Sequence, residues 1–367
     1  MPHATPDATK IYADRFPEFL KAGHYRDFRG LAVSSLGLGT YLGGQTDAED
    51  ALYAGTIREA LLSGVNLIDS AINYRCMRSE RAIGSALGRL LAEGKVRREE
   101  VVVCTKGGFL PFDGEPPRDP AAYFREQSQA PGLCGPGDLV AGCHCMTPAY
   151  LRDQVGRSLK NLGLDAVDLY YLHNPETQLD EVPRDGFLSR LEKAFGELEK
   201  MAAEGLLRAY GTATWNGYRV PPQDQDHLSL EEVLRAAERA GGSRHHFAAV
   251  QLPYNLAMTE AYGLANQLED GKRVPLLEAA RRNGLAVFTS ASILQSKLSR
   301  GLPAVVTENF PGLATDAQRA VQFVRSTPGV TAALVGMKRP EHLRENLGVA
   351  SQAPVGEEAV ARLFSGA

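Results

Sequence analysis

The stretch VNLIDSAINYRCMRSERAIGSALGRLLAEGKVRREEVVVCTK, residues 65–106, decides the fold. It opens on a short apolar run, VNLI at 65–68. It then passes through a polar loop into a helical segment from Ser79 to about Leu91, and closes on a second apolar run, VVVCT at 101–105. Short continuous apolar runs read as strands buried on both faces, the pattern of a parallel sheet. Outward from this stretch the same cadence recurs: VSSLGL at 33–38 upstream, then VDLYYL (167–172), LLRAYGTAT (206–214), FAAVQL (247–252), LAVFTS (285–290) and VTAALVG (330–336). Eight such runs separated by helical segments close naturally into a (β/α)8 TIM barrel of the α/β class. An open doubly wound sheet is the competing architecture.

Local signals sharpen the helices. One is expected from about Ala48 to Ser63, with Asp47 or Thr46 as its N-cap and Gly64 as its stop. Another starts at Thr147-Pro148, with proline at the first helical position and Leu151, Val155, Leu159 and Leu162 on one face. Residues 1–367 are expected to form a single barrel domain. Residues 1–32, polar and broken by prolines, read as an N-terminal arm packed on it. Residues 107–146, rich in Gly, Pro and Asp, form a long loop after the third strand, and loops of that length in a compact domain are usually functional.

Composition narrows the class. The 367 residues are 44% hydrophobic and 23% charged, as in an ordinary globular protein, and the net charge of -4 gives no pull toward nucleic acid or an anionic membrane. No transmembrane helix or secretory signal is legible. Five cysteines do not make a disulfide framework in so long a chain, so free thiols and a cytoplasmic location are expected. Oligomeric state is not legible.

In a (β/α)8 barrel the C-terminal strand ends carry the chemistry. Asp69 follows VNLI, with Tyr74 in the same loop. Lys106 follows VVVCT and His173 follows VDLYYL. Trp215 and Asn216 follow the fifth run, and Gln251 ends the sixth. An acid, a phenol, an amine and an imidazole converging from different strands suit carbonyl reduction, in which a carbonyl oxygen gains negative charge and must receive a proton. A free tyrosine has a pKa near ~10; the Lys106 ammonium is expected to lower it, Asp69 to hold Lys106, and His173 to donate to the carbonyl oxygen.

Other features read as structural. Gly37-Leu38-Gly39 fails as a dinucleotide fingerprint because Leu42 occupies the third glycine position, and it reads as a turn at the barrel rim. No tyrosine has Lys four residues later, as a short-chain dehydrogenase needs, and no His-x-His ends the first strand, as a metal-dependent hydrolase would want. Cys143, His144 and Cys145, with Cys134, lack the spacing of a zinc site, so no metal is expected. His144 is either loop packing or a substrate-pocket residue. His245-His246 precedes a strand and belongs on the far face. Arg97-Arg98-Glu99-Glu100 reads as a solvated turn.

The segments GVNLIDSAINYRCMRSERAIGSAL (64–87), VVVCTKGG (101–108) and VDLYYLHNP (167–175) together resemble the aldo-keto reductases, over a span from about Val33 to Leu347. By that resemblance Asp69, Tyr74, Lys106 and His173 match the family's catalytic tetrad, and a bound NADP, or NAD, without a Rossmann domain is implied. Gln251 in VQLPYNL resembles the glutamine that binds the nicotinamide carboxamide. Ala213-Thr214 stands where the family usually has Ser-Asn, leaving Thr214 as the substitute. TSASIL (289–294), with Ser290, resembles the pyrophosphate-side loop, Ala291 replacing the usual proline. VGMKRPEHLRENL (335–347) resembles the adenosine-phosphate site. There Lys338 and Arg339 would grip a 2′-phosphate, His342 stands where a basic residue is common, and Glu345 and Asn346 match the adenine side, which favours NADP. Phe109, Phe112, His144 and Trp215 are candidate pocket linings. The implied activity is NAD(P)H-dependent reduction of a small aldehyde or ketone to an alcohol, with Tyr74 as proton donor. The alternative is an NADP-binding regulatory or interaction subunit that docks through 107–146.

Overall fold

Eight parallel strands hydrogen-bond edge to edge until the last meets the first. In this computed structural model, which describes residues 3–364, they are β1 (Leu36–Gly39), β2 (Leu67–Asp69), β3 (Val102–Gly107), β4 (Val167–His173), β5 (Leu207–Ala213), β6 (Phe247–Pro253), β7 (Ala286–Ser290) and β8 (Ala332–Gly336). The helices that follow them in turn are α1 (Asp47–Leu62), α2 (Arg78–Ala92), α3 (Pro148–Leu162), α4 (Arg184–Ala203), α5 (Leu230–Gly241), α6 (Leu276–Arg282), α7 (Asp316–Ser326) and α8 (Pro340–Leu347). The expected closed barrel is therefore the observed one, and the open sheet is not. Thr46 and Thr147 cap α1 and α3 by accepting backbone N–H groups, and Gly64, at φ 97°, allows the turn after α1.

The first run differs from its expected position. Leu31–Ser34 pairs with Tyr25–Phe28 as an antiparallel hairpin, and the barrel strand begins only at Leu36. Gly37 and Gly39 are thus strand residues, not a rim turn. A Cβ at Gly37 would stand 2.6 Å from Leu334 and 2.7 Å from Leu67, so only glycine lets the neighbouring strands' side chains fill the barrel there. The N-terminal segment is likewise more than a polar arm. It forms helices at Pro6–Asp14 and Pro17–Lys21, and its hairpin sends Phe28, Leu31 and Val33 into the barrel's own interior cluster with Leu67, Val102, Leu169 and Phe288. Residues 1, 2 and 365–367 lie outside the described residues.

Arg97–Glu100 is also not a solvated turn. Arg98 and Glu100 are buried, and Arg98 pairs with the fully buried Asp168 of β4 at 2.9 Å. His246, before β6, pairs with Glu199 at 2.6 Å. The long loop contains a short helix, Pro120–Phe124, and packs Leu110, Phe124, Cys134, Cys145 and Tyr150 together.

Strand parity positions the site. Successive side chains alternate between the barrel interior and the helical layer. Leu67, Val102, Cys104, Leu169, Tyr171 and Ala249 belong to the interior cluster, whereas Ile68, Val103, Tyr170 and Val250 pack with the helices. Counting on by two, Asp69, Lys106, His173 and Gln251 are the inward residues at the C-terminal ends of β2, β3, β4 and β6.

Candidate active site

A cavity of about 530 Å³ opens at these strand ends, and Asp69, Tyr74, Phe109, His173, Trp215 and Gln251 are among its walls. Lys106 lies beneath it, fully buried. Its Nζ donates to Asp69 Oδ2 at 2.6 Å and to the Ser70 carbonyl at 2.7 Å, and stands 5.0 Å from the centre of the Tyr74 ring. Burial opposes the ammonium's charge, but Asp69 and Tyr74 outweigh it and raise the lysine's pKa, so it stays charged. Gln251 Nε2 donates to the other carboxylate oxygen, Asp69 Oδ1, at 2.9 Å. The rings of Tyr74 and His173 meet edge to face, 5.7 Å between centres.

The Tyr74 phenol is not lowered, as the sequence suggested. Burial pushes it up, and the opposing pull of Lys106 is the smaller effect. Burial, then Lys106 and His144, hold the His173 imidazole well below its ordinary value, so it is neutral.

Of the two readings open for His144, loop packing is the observed one and the substrate-pocket reading is not. It is absent from the cavity wall and fully buried behind it, where Nε2 meets the His173 carbonyl at 2.8 Å and Nδ1 meets the Gln178 amide at 2.9 Å. The bridge Phe109↔His144 brings the ring edge-on to Phe109, 5.2 Å between centres. The segment turns back here because Gly108, at φ 131°, lets the chain pass where a Cβ would stand 2.7 Å from His144 Nε2. His144 therefore backs the wall residue Phe109 and is not itself a pocket residue. Phe112 packs against Tyr123, away from the cavity lining.

The expected nucleotide contacts fall into two groups. Thr214, Gln251 and Ser290 line the cavity. Lys338, Arg339, His342, Glu345 and Asn346 lie beyond its lining, at and after the end of β8. Arg339 and His342 are exposed, and Asn346 is buried with Oδ1 lacking a partner among the described residues. Lys338 Nζ is held by both oxygens of Glu49, at 2.9 and 3.0 Å.

Sequence reasoning missed several residues here. Tyr41 lines the cavity and packs edge-on against Tyr74, 5.0 Å between centres. Had the first strand been placed at 36–39, the strand-end rule would have found it. Asn73 and Asn174 also line the cavity, from positions directly beside Tyr74 and His173. Glu49 and Glu176 carry no sequence signal.

The fold and site define a barrel oxidoreductase. The model of the Aldo/keto reductase family matches residues 35–301, and the chain belongs to that family. Membership implies nicotinamide-dependent reduction of small-molecule carbonyls. Among curated proteins, the chain is 30% identical over 274 residues to the NADH-specific methylglyoxal reductase of Escherichia coli (strain K12), covering 73% of this chain and 66%, just under two thirds, of that one. It is 26% identical over 362 residues to the D-threo-aldose 1-dehydrogenase of a Pseudomonas species, covering 91% and 96%. Among solved structures, an aldo/keto reductase of Klebsiella pneumoniae in complex with NADP and acetate shares the fold, with a TM-score of 0.62 at 22% identity over 93% of this chain and 94% of that one. Among the described residues no helix is long and apolar enough to cross a membrane.

Proposed function

We propose that the protein reduces a small, uncharged aldehyde or ketone with NADPH, Tyr74 giving the proton. The observation that carries this reading is the buried ion pair: an ammonium fixed by Asp69 at 2.6 Å stands 5.0 Å from the ring of a phenol that faces the cavity. Among the described residues the only acid or cation on the cavity wall is Asp69, already paired with Lys106, so the site suits a neutral carbonyl compound.

The residues present fit a dinucleotide. Neutral donors and acceptors line the cavity at Thr214, Gln251 and Ser290, and Asn346 offers a buried oxygen further out that has no partner among the described residues. Thr214 and Gln251 would hold the nicotinamide end, Ser290 the pyrophosphate side, and Lys338, Arg339, His342, Glu345 and Asn346 the adenosine phosphate. Two cations at the outer end favour NADP, with NAD as the second choice. A reduced nicotinamide, when bound, supplies a hydride. Tyr74 keeps its proton at neutral pH because burial raises the phenol, and it gives that proton to the carbonyl oxygen. Lys106 steadies the phenolate left behind, and Asp69 keeps Lys106 charged. His173, neutral, orients the oxygen. Phe109 and Trp215 serve as substrate walls. The intact Asp69–Lys106 pair weighs for turnover over a purely regulatory nucleotide-binding role. Five unpaired cysteines support a reducing, cytoplasmic setting.

The test is oxidation of NADPH and of NADH by the purified protein with neutral aldehydes, ketones and sugars. Turnover with a neutral carbonyl, faster with NADPH, is expected. No oxidation of either nucleotide with any carbonyl contradicts the reading.

A further inference from the structure

Trp215, the chain's single tryptophan, combines an exposed ring with a backbone held from both sides. The residue is 46% exposed at the cavity wall. Its N–H donates to Glu176 Oε1 at 2.7 Å, and its carbonyl accepts from Arg219 at 3.2 Å. Arg219 is itself paired with Glu260 at 2.9 Å. The same oxygen of Glu176 also accepts the N–H groups of Asn216 at 3.1 Å and Gly217 at 3.3 Å. Three successive amides thus converge on one carboxylate oxygen, a backbone nest around an anion.

This is a costly way to fasten a loop. Glu176 is buried, and its second oxygen, Oε2, has no partner among the described residues. Burying a carboxylate half-satisfied opposes folding. Its location supplies a reason. Glu176 follows His173 by three residues, and the nest begins one residue after Thr214. The two segments are joined again where the Asn174 N–H donates to the Ala213 carbonyl at 2.6 Å. His173 and Asn174 on one side, and Thr214 and Trp215 on the other, are adjoining parts of the cavity wall.

We propose that Glu176 is a positioning residue whose Oε1 fixes Trp215 and the turn that follows Thr214 beside His173, pre-forming the wall on which nucleotide and substrate rest. Only the nature of those ligands rests on the functional reading above. A wall fixed before binding spares the ordering cost that a loose loop would pay on each encounter.

Two variants test this. Glu176→Gln keeps an acceptor at the oxygen that holds the loop; Glu176→Met fills the same volume without one. Acrylamide quenching of Trp215 fluorescence in the free protein reads the loop directly, and steady-state kinetics read the site. The Met variant is expected to raise the quenching constant by about 1.5-fold or more, as the pinned loop loosens. It should raise KM roughly fivefold or more with kcat within about threefold, the pattern of lost uniform binding. The Gln variant should stay near wild type in both. A folded Met variant with unchanged quenching, or a Gln variant as impaired as Met, overturns the proposal. So does a Met variant that fails to fold beside a normal Gln variant, which would make Glu176 a folding residue. If wild type turns over no carbonyl, the functional reading fails while quenching still decides the positioning.

Discussion

Gln251 and Lys106 divide the carboxylate of Asp69 between them: the amide donates to Oδ1 at 2.9 Å and the ammonium to Oδ2 at 2.6 Å. Residues from three separate strands, β2, β3 and β6, are thereby locked together at the base of the cavity. Gln251→Leu leaves Oδ1 buried without its donor. Losing one partner of a buried polar group costs about 1–3 kcal/mol, so urea denaturation of this variant should shift by that order. An unchanged midpoint would show that Oδ1 is satisfied in some other way.

Lys106→Met separates stability from chemistry. Removing the cation leaves Asp69 buried and unpaired, at a cost of roughly 3–5 kcal/mol. The double variant Lys106→Met with Asp69→Asn should recover most of that stability, because no lone charge remains. Turnover should stay down on the order of 10²–10⁴-fold in both, since nothing then steadies the phenolate. Recovered turnover in the double variant would remove Lys106 from the mechanism.

The pair Lys338–Glu49 bears on the choice of nucleotide. Both oxygens of Glu49 hold the amine that would grip a 2′-phosphate. Glu49→Gln releases that charge. Partly exposed pairs are worth up to about 1 kcal/mol, so NADPH affinity should rise by roughly two- to fivefold. NADH affinity should change much less. Fluorescence titration of Trp215 with each nucleotide measures both; equal changes would place the 2′-phosphate elsewhere.

Glu176 also sets a pH dependence. Burial lifts its carboxyl from 4.5 to about 7, against the pull of the amides it binds. A carboxyl raised in the folded state favours the protonated fold. Its contribution is full below 4.5 and is lost as pH rises through about 7. The displacement is worth roughly 3 kcal/mol. Wild type should therefore lose stability relative to Glu176→Gln between about pH 5 and about pH 8, measured by urea denaturation at both ends. A constant difference across that range would contradict the assignment.

The barrel was legible because strands buried on both faces leave continuous apolar runs, and all eight became strands. The first was misplaced because LAVS and LGL are adjoining apolar runs, and only the hairpin contact of Leu31–Ser34 with Tyr25–Phe28 separates them. Asp69, Lys106 and His173 were findable because each directly follows its apolar run, and Gln251 because it stands at the end of its own, where strand parity turns it inward. Arg98 read as solvent-facing because its partner Asp168 lies 70 positions away. The two readings of His144 stayed open for a related reason: its neighbours His173 and Gln178 come from another strand and its loop. Glu176 and Glu49 act on partners from other loops, at spacings that no local pattern encodes.

The central claim is that Tyr74 gives the proton, and a single-turnover measurement on Tyr74→Phe tests it most directly. NADPH is bound first, its saturation followed by Trp215 fluorescence, and a neutral aldehyde is then mixed in while nucleotide oxidation is recorded. The account predicts nucleotide binding within about twofold of wild type and a reduction rate lower on the order of 10²–10⁴-fold. Wild-type reduction by the phenylalanine variant would contradict it.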